Sequence, residues 1–190
     1  MRTTRIGEIR VINGLISHGD VVKLRGIIEA SELMREDNNP NEYLNMSDSI
    51  GSSILLRAQN MLKSHIEKSI GQTISDEGIG TIVKFGIGWE LPYHCDQWSN
   101  LPTYSGAPRR DISSVVYLSD DFAGGEIEFP DLGVSIEPSA GSAIYFPGTE
   151  QFMHQVNKVT SGVRLTCTSF WSILSTHDHV SIPASTNVQV

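Results

Sequence analysis

Two hydrophobic periods divide the chain. A short strand pattern, EIRVING, precedes Val21, Leu24 and Ile28, which recur at three- and four-residue intervals. Ser17 and Asp20 stand before them in the spacing of a capping box, so a helix is predicted that ends at the polar run REDNNPN. A second helix is predicted over Ile54, Ala58, Met61, Leu62, Ile66 and Ile70, which share one stripe while Arg57, Gln59, Lys63 and Lys68 lie off it. Gly71 is placed to stop that helix.

From about Thr81 the period shortens to that of strands. The runs TIVKFGI, ISSVVYL, GEIEF, GVSIE, SAIYF, FMHQVNKV and VRLTCTSFW are separated by turn signals at Gly124-Gly125, Asp131 to Gly133, Ala140-Gly141, Pro147-Gly148 and Ser161-Gly162. Many short strands at that spacing predict a mainly β sandwich or jelly roll, with the two early helices covering one sheet. There is no internal repeat, and the polar stretch from 174 to 190 is expected to be a loosely attached tail.

Composition narrows the function. With 190 residues and 39% apolar content, one compact domain is expected: supporting strand and helices over 1–79, a β core over 80–173 and the tail. Lys and Arg number 14 against 22 acidic residues, a formal charge of -8, so no broad basic face exists to neutralise a phosphate backbone and nucleic acid is not expected as a partner. Two cysteines, Cys95 and Cys167, make no disulfide framework and no CxxC zinc pair. Charges at Arg2, Arg5, Glu8 and Arg10 interrupt any signal-peptide core, and no run approaches a membrane span. A cytoplasmic setting away from the membrane is the expectation.

The chemistry starts at PYHCDQW. In a strand His94 and Asp96 project from one face, which suits either a metal site or two solvated polar side chains. His154, in another strand-like run 58 residues after Asp96, completes a two-histidine, one-carboxylate set of the kind that leaves positions on iron(II) open. Alternation in RLTCTSF then puts Arg164, Thr166, Thr168 and Phe170 on one face and Leu165, Cys167, Ser169 and Trp171 on the other. An enclosed Arg164 demands an anion, either a protein carboxylate or a bound acid such as 2-oxoglutarate.

Taken in order, HCD at 94–96, YLSDDFAGGEIEFP at 117–130, SAIYFP, and MHQVNKVTSGVRLTCTSFW at 153–171 resemble the catalytic domain of the prolyl 4-hydroxylase branch of iron(II)- and 2-oxoglutarate-dependent oxygenases, over about residues 80–171. VINGLISHGDVVKL is similar to the strand and helix that often open that domain. The resemblance implies a double-stranded β-helix (jelly-roll) core supported by N-terminal helices. It also implies that His94, Asp96 and His154 are the catalytic iron ligands, that Arg164 pairs with the distal carboxylate of 2-oxoglutarate, and that Tyr117 and Thr166 join it at the cofactor. Tyr117 is alternatively a core aromatic. Phe85 stands where the family often has tyrosine, and Arg164 where collagen-type members carry lysine.

The implied activity consumes O2 and 2-oxoglutarate, releases succinate and CO2, and hydroxylates an unactivated C–H bond, with ascorbate as reductant. The first expectation for substrate is a prolyl residue in a peptide or protein. Alternatives are a free amino acid, another small molecule or an alkylated nucleobase, or a non-catalytic jelly-roll module that holds metal structurally. The irregular stretch 97–110 beside the first two ligands is expected to meet substrate through Trp98, Tyr104, Arg109 and Arg110. His18 and His65 are expected to be capping or surface groups, and His177 and His179 part of the tail.

Overall fold

A computed structural model describes residues 2–30, 34–35, 42–44, 48–76, 78–97, 109–137 and 139–174. In chain order the elements are β1 (Arg2–Ile6), β2 (Ile9–Asn13), α1 (His18–Ala30), β3 (Met34–Arg35), β4 (Glu42–Leu44), α2 (Ser49–Ile70), β5 (Thr81–Phe85), β6 (Leu91–His94), β7 (Ile112–Tyr117), β8 (Ile127–Phe129), β9 (Val134–Ile136), β10 (Ala143–Pro147), β11 (His154–Val156) and β12 (Arg164–Trp171). The larger sheet runs β1-β2-β10-β7-β12-β5-β4-β3, and the smaller runs β6-β11-β8-β9.

The larger sheet is covered on both faces. Toward the helices it sends Ile82, Ile112, Val116, Tyr145, Leu165, Cys167 and Trp171, which bury Val21, Leu24, Ile28, Ile54, Leu62 and Ile66. Toward the smaller sheet it sends Val115, Tyr117, Ile144 and Phe146, which meet Ile127, Phe129 and Ile136. Each fully buried aliphatic side chain contributes roughly 1.5–3 kcal/mol. Central β7 has every residue buried, and its Ser114 is satisfied by donating to Ser169 O and accepting from Trp171 Nε1. This is the jelly roll expected from the strand spacing, with the helices on the outer face of one sheet.

Local signals account for the helix ends. Ser17 Oγ accepts from Asp20 N at the start of α1, and Asp48 Oδ1 accepts from Ile50 N and Gly51 N at the start of α2. Gly71 ends α2 at φ 72° and donates to Glu67 O. The buried face of α2 is rotated from the predicted stripe. Met61 is 41% exposed, while Leu55 and Gln59 are buried, the Gln59 amide donating to Cys167 Sγ at 3.6 Å and to Ile79 O at 3.5 Å. Gln59, which hydrophobicity alone places outside, is thus buried with its amide facing polar groups across the core.

The arginine-bearing β1 was not expected as a strand. It pairs with β2 and forms one edge of the larger sheet, where charged side chains discourage pairing with another chain. No helix among the described residues is long and apolar enough to cross a membrane. The tail, including His177 and His179, lies outside the described residues.

At Gly141, φ is 80° and a Cβ would come to 2.5 Å from Ile16 O, against backbone that cannot swing away. Gly141→Ala is therefore expected to destabilise the fold by at least about 2 kcal/mol, read from urea denaturation midpoints.

Candidate metal centre and its cavity

β6 ends on His94 and β11 begins on His154, and these two residues are directly opposed in the antiparallel ladder. Their ring centroids lie 4.4 Å apart. Two residues past His94, Asp96 brings one carboxylate oxygen to 3.5 Å from each ring: Oδ1 to His94 Nε2 and Oδ2 to His154 Nε2. The potential ligand atoms of all three residues fall within 4.8 Å of one another.

Backbone carbonyls set the tautomers. His94 Nδ1 is 2.7 Å from Pro92 O, and His154 Nδ1 is 3.0 Å from Phe152 O. A carbonyl only accepts, so each Nδ1 carries a proton and each neutral ring is left with its Nε2 lone pair facing Asp96. Three lone-pair groups converging in a buried place repel one another unless a proton or a cation sits among them. Imidazole, imidazole and carboxylate is the donor set that suits a divalent metal such as iron(II) with positions left open.

Electrostatics within the cluster are uneven. Burial disfavours the His94 cation, but Asp96 and Pro92 O outweigh it, so its pKa stands above the ordinary imidazole value even though Arg110 opposes the shift. His154 moves below, because its burial and the neighbouring His94 outweigh Asp96. Burial alone would raise Asp96, yet His94, His154 and Ser113 hold its carboxyl below the usual range.

Neighbouring side chains brace the three donors. Ser113 Oγ on β7 donates to Asp96 Oδ2 at 2.6 Å, and Phe129 and Phe146 flank the His154 ring at 5.6 and 4.8 Å. Next to Asp96, Gln97 donates through Nε2 to Asp111 Oδ1 and through its backbone N–H to Gly148 O. Buried Asp111 also accepts from Arg109 and from Ile173 N, tying the ends of β6 and β12 together.

The cluster opens into a cavity of about 440 Å³ between the two sheets. β12 contributes Arg164, Thr166, Thr168 and Phe170 to its wall, the face that alternation predicted, and β5 contributes Thr81, Val83 and Phe85. Arg164 is 3% exposed and lies 5.4 Å from the Phe85 ring centroid and 5.3 Å from that of Tyr117. Its Nε donates to Gly125 O at 3.0 Å, but no carboxylate pairs with it among the described residues. Burial pushes the Arg164 pKa down and that of Tyr117 up. The Tyr117 hydroxyl is wholly enclosed and interacts with this guanidinium, but makes no hydrogen bond of good geometry. A cation and a hydroxyl left without an anion are what a bound carboxylate would satisfy.

The structure thus brings His94, Asp96, His154, Arg164 and Thr166 to one cavity, with Tyr117 packed behind Arg164. Phe85 is directly opposite Arg164 across β5 and β12. Of the residues expected to meet substrate, Arg110 lines the cavity. Arg109 instead turns to Asp111 at 2.8 Å. Trp98 and Tyr104 lie outside the described residues. Ser113 and Asp111 were not singled out from the sequence. Ser113 shares the alternating face of Val115 and Tyr117 and could have been read from that pattern, whereas nothing local marks Asp111.

Fold and donor set together define a jelly roll with a two-histidine, one-carboxylate centre. Residues 80–172 match the model of the 2OG-Fe(II) oxygenase superfamily. The chain is 37% identical over 84 residues to a PKHD-type hydroxylase of Azoarcus sp. (strain BH72), covering 41% of this chain and 35% of that one. It is 36% identical over 72 residues to prolyl 3-hydroxylase 2 of Homo sapiens, covering 35% of this chain and 10% of that one.

Among solved structures it resembles the viral collagen prolyl hydroxylase of Paramecium Bursaria Chlorella virus-1 in its 2OG complex. The TM-score is 0.67 at 17% identity, over 88% of this chain and 97% of that one. It also resembles a Pseudomonas putida prolyl-4-hydroxylase, with a TM-score of 0.68 at 19% identity, over 88% of this chain and 94% of that one. The chain spans about a third of the length of the PKHD-type relatives it matches. Over residues 80–172 it is thus similar to the 2OG-Fe(II) oxygenases, and its relatives there are hydroxylases of the PKHD and prolyl types.

If the three side chains hold a divalent cation, manganese(II) at about a hundred times its dissociation constant raises stability by about 2.7 kcal/mol, a shift of roughly 5–11 °C in thermal midpoint. Asp96→Ala is expected to abolish the shift. Only neutral imidazole binds metal, and the raised pKa of His94 means its proton competes from above the ordinary imidazole range. The shift should therefore fade as pH falls through that range, as a midpoint series against pH would show.

Proposed function

We propose that this chain is an iron(II)- and 2-oxoglutarate-dependent dioxygenase that hydroxylates an unactivated C–H bond, with a prolyl residue of a peptide or protein as the substrate. The observation that carries the reading is the pairing, in one cavity, of a His94–Asp96–His154 donor set with a buried Arg164 that no carboxylate neutralises. The PKHD-type and prolyl 3-hydroxylase relatives support the hydroxylase class and the peptidyl substrate.

In this reading His94, Asp96 and His154 hold iron(II). Arg164 takes the distal carboxylate of 2-oxoglutarate in a charge-assisted pair, and Tyr117 and Thr166 supply hydroxyls beside it. Bound iron(II) with 2-oxoglutarate and O2 supplies oxidative decarboxylation to succinate and CO2, coupled to hydroxylation, with ascorbate as reductant.

The protein's own work is positioning and exclusion of water. Ser113 holds Asp96 anionic and oriented, and the carbonyls of Pro92 and Phe152 hold both rings with Nε2 forward. Phe85, Val83 and Val156 give the Arg164 end of the cavity apolar walls, so a carboxylate entering there meets a guanidinium in a low dielectric. The catalytic work belongs to 80–173, with 1–79 as its support.

Succinate release and a gain of one oxygen on prolyl peptides, followed by mass spectrometry with iron(II), ascorbate and 2-oxoglutarate, test the reading. His94→Ala is expected to yield no succinate, and full release by that variant would sink the iron assignment. Arg164→Met carries two expectations of opposite sign. Affinity for 2-oxoglutarate drops about 10- to 100-fold, while the metal-free protein unfolds no earlier than wild type, because an unpaired buried cation has been removed. Unchanged affinity would remove Arg164 from the co-substrate site.

A further inference from the structure

We propose that Asp111 and Gln97 are positioning residues of the metal centre: a closed ring of hydrogen bonds through Gly148 holds the two ligand-bearing segments of the chain in place. The inference rests on the metal reading proposed above and adds to it what fixes where Asp96 and His154 stand.

A buried carboxylate has to be satisfied, and that alone carries no function. Asp111, 8% exposed, is informative in which groups satisfy it. Its Oδ1 accepts from Gln97 Nε2 at 3.0 Å and from Arg109 Nη2 at 2.8 Å, and its Oδ2 accepts from Ile173 N at 2.8 Å. Its backbone is engaged as well, the N–H donating to Trp171 O and the carbonyl accepting from Gly148 N. The stretches at 97, 148 and 171–173, far apart in sequence, thus meet on one residue just before β7.

Two of those stretches lead into the ligands. Gln97 follows Asp96 directly, and Gly148 precedes His154 by the helical turn Glu150–Phe152, whose last carbonyl fixes the His154 ring. Gln97 N in turn donates to Gly148 O at 2.8 Å, which closes the ring of Asp111, Gln97 and Gly148. Close packing here admits no side chain at Gly148, where a Cβ would collide with Arg110 O and press on Ser113 Oγ, the group that donates to Asp96 Oδ2. Asp96 is therefore held twice against the start of β7, directly by Ser113 and, through its neighbour Gln97, by Asp111.

The polarity of the ring makes it testable. Asp111 offers two acceptor oxygens to Gln97, Arg109 and Ile173, whereas an amide has one oxygen to offer. A glutamate at 97 would set carboxylate against carboxylate, and an asparagine at 111 facing it would restore donor and acceptor with the polarity reversed. Groups that orient ligands from outside the coordination sphere typically cost roughly 10–100-fold in metal affinity when lost. The ring acts one bond further out, so the lower end of that range is expected.

The test uses the full chain and manganese(II) alone, with affinity read by calorimetry. Cobalt(II) absorption bands report ligand geometry, and the metal-free thermal midpoint reports the fold. Gln97→Leu is expected to keep a cooperative metal-free transition while binding manganese(II) about tenfold more weakly and shifting the cobalt(II) bands. Gln97→Glu should weaken binding likewise, although an added negative charge by itself would favour a cation. Combining Gln97→Glu with Asp111→Asn restores the wild-type net charge and should return affinity to within about threefold of wild type.

Wild-type affinity in Gln97→Leu overturns the proposal, as does tighter binding in Gln97→Glu or a double variant no better than Gln97→Glu alone. A lowered midpoint with unchanged affinity and unshifted cobalt(II) bands assigns the ring to stability only and overturns it too. If wild type binds neither ion, the metal reading fails and takes this inference with it. Normal binding by wild type and variants alike removes the ring and leaves the metal reading standing.

Discussion

The site depends on one register. His154 stands opposite His94 in the β6–β11 ladder, and a shift of that pairing by a single residue would turn one imidazole out of the cavity, because strand side chains alternate faces. The ladder is irregular immediately beyond this pair, so the register is not held by strand length. It is held from outside: Phe129 and Phe146 wedge the His154 ring, Phe152 O fixes its Nδ1, and the Gly148–Gln97–Asp111 knot anchors the chain just past Asp96. Short strands at the end that carries the three donors are thus stabilised by side-chain and loop contacts, while β7, β10 and β12 supply the hydrogen-bonded base.

That base also explains how an unneutralised Arg164 is tolerated. A buried guanidinium without an anion costs several kcal/mol after relaxation, and two aromatic faces with one carbonyl return only part of it. The surrounding sheet must absorb the rest through its two buried faces. Gly125 is fitted to this arrangement: at its φ of 70° a side chain would be strained, and a Cβ would crowd Arg164 Cδ at 3.0 Å beside the carbonyl that accepts from Nε. The unneutralised guanidinium and the Tyr117 hydroxyl lie where a ligand would relieve them.

Much of this was legible in the chain because it follows period two. The face of Arg164, Thr166, Thr168 and Phe170 needed only alternation, and the turn glycines needed only their spacing. The three donors needed a further step, since His94–Asp96 and His154 are far apart in sequence and only the ordered motifs joined them. Other features escaped for physical reasons. The rotation of α2 buries Gln59 against Cys167 and Ile79 O across the core, a contact between distant residues that no hydrophobic period contains. Asp111 escaped because its three donors come from 97, 109 and 173. β1 escaped because arginines at a sheet edge look, in sequence, like a polar lead-in.

Phe85 gives the last step. Facing Arg164 across β5 and β12, it occupies the place from which a tyrosine could offer a second hydroxyl, and it stacks on Trp89 at 5.7 Å instead. The Arg164 end of the cavity is therefore drier on one side, and in the proposed reading anion recognition there falls to the guanidinium, the enclosed Tyr117 hydroxyl and Thr166. In such a pocket the charge pair is stronger because water is excluded, and its loss is less forgiving because neither neighbouring hydroxyl carries a charge to replace it. Apolar packing at Phe85 thus concentrates on Arg164 a task that a tyrosine there would share.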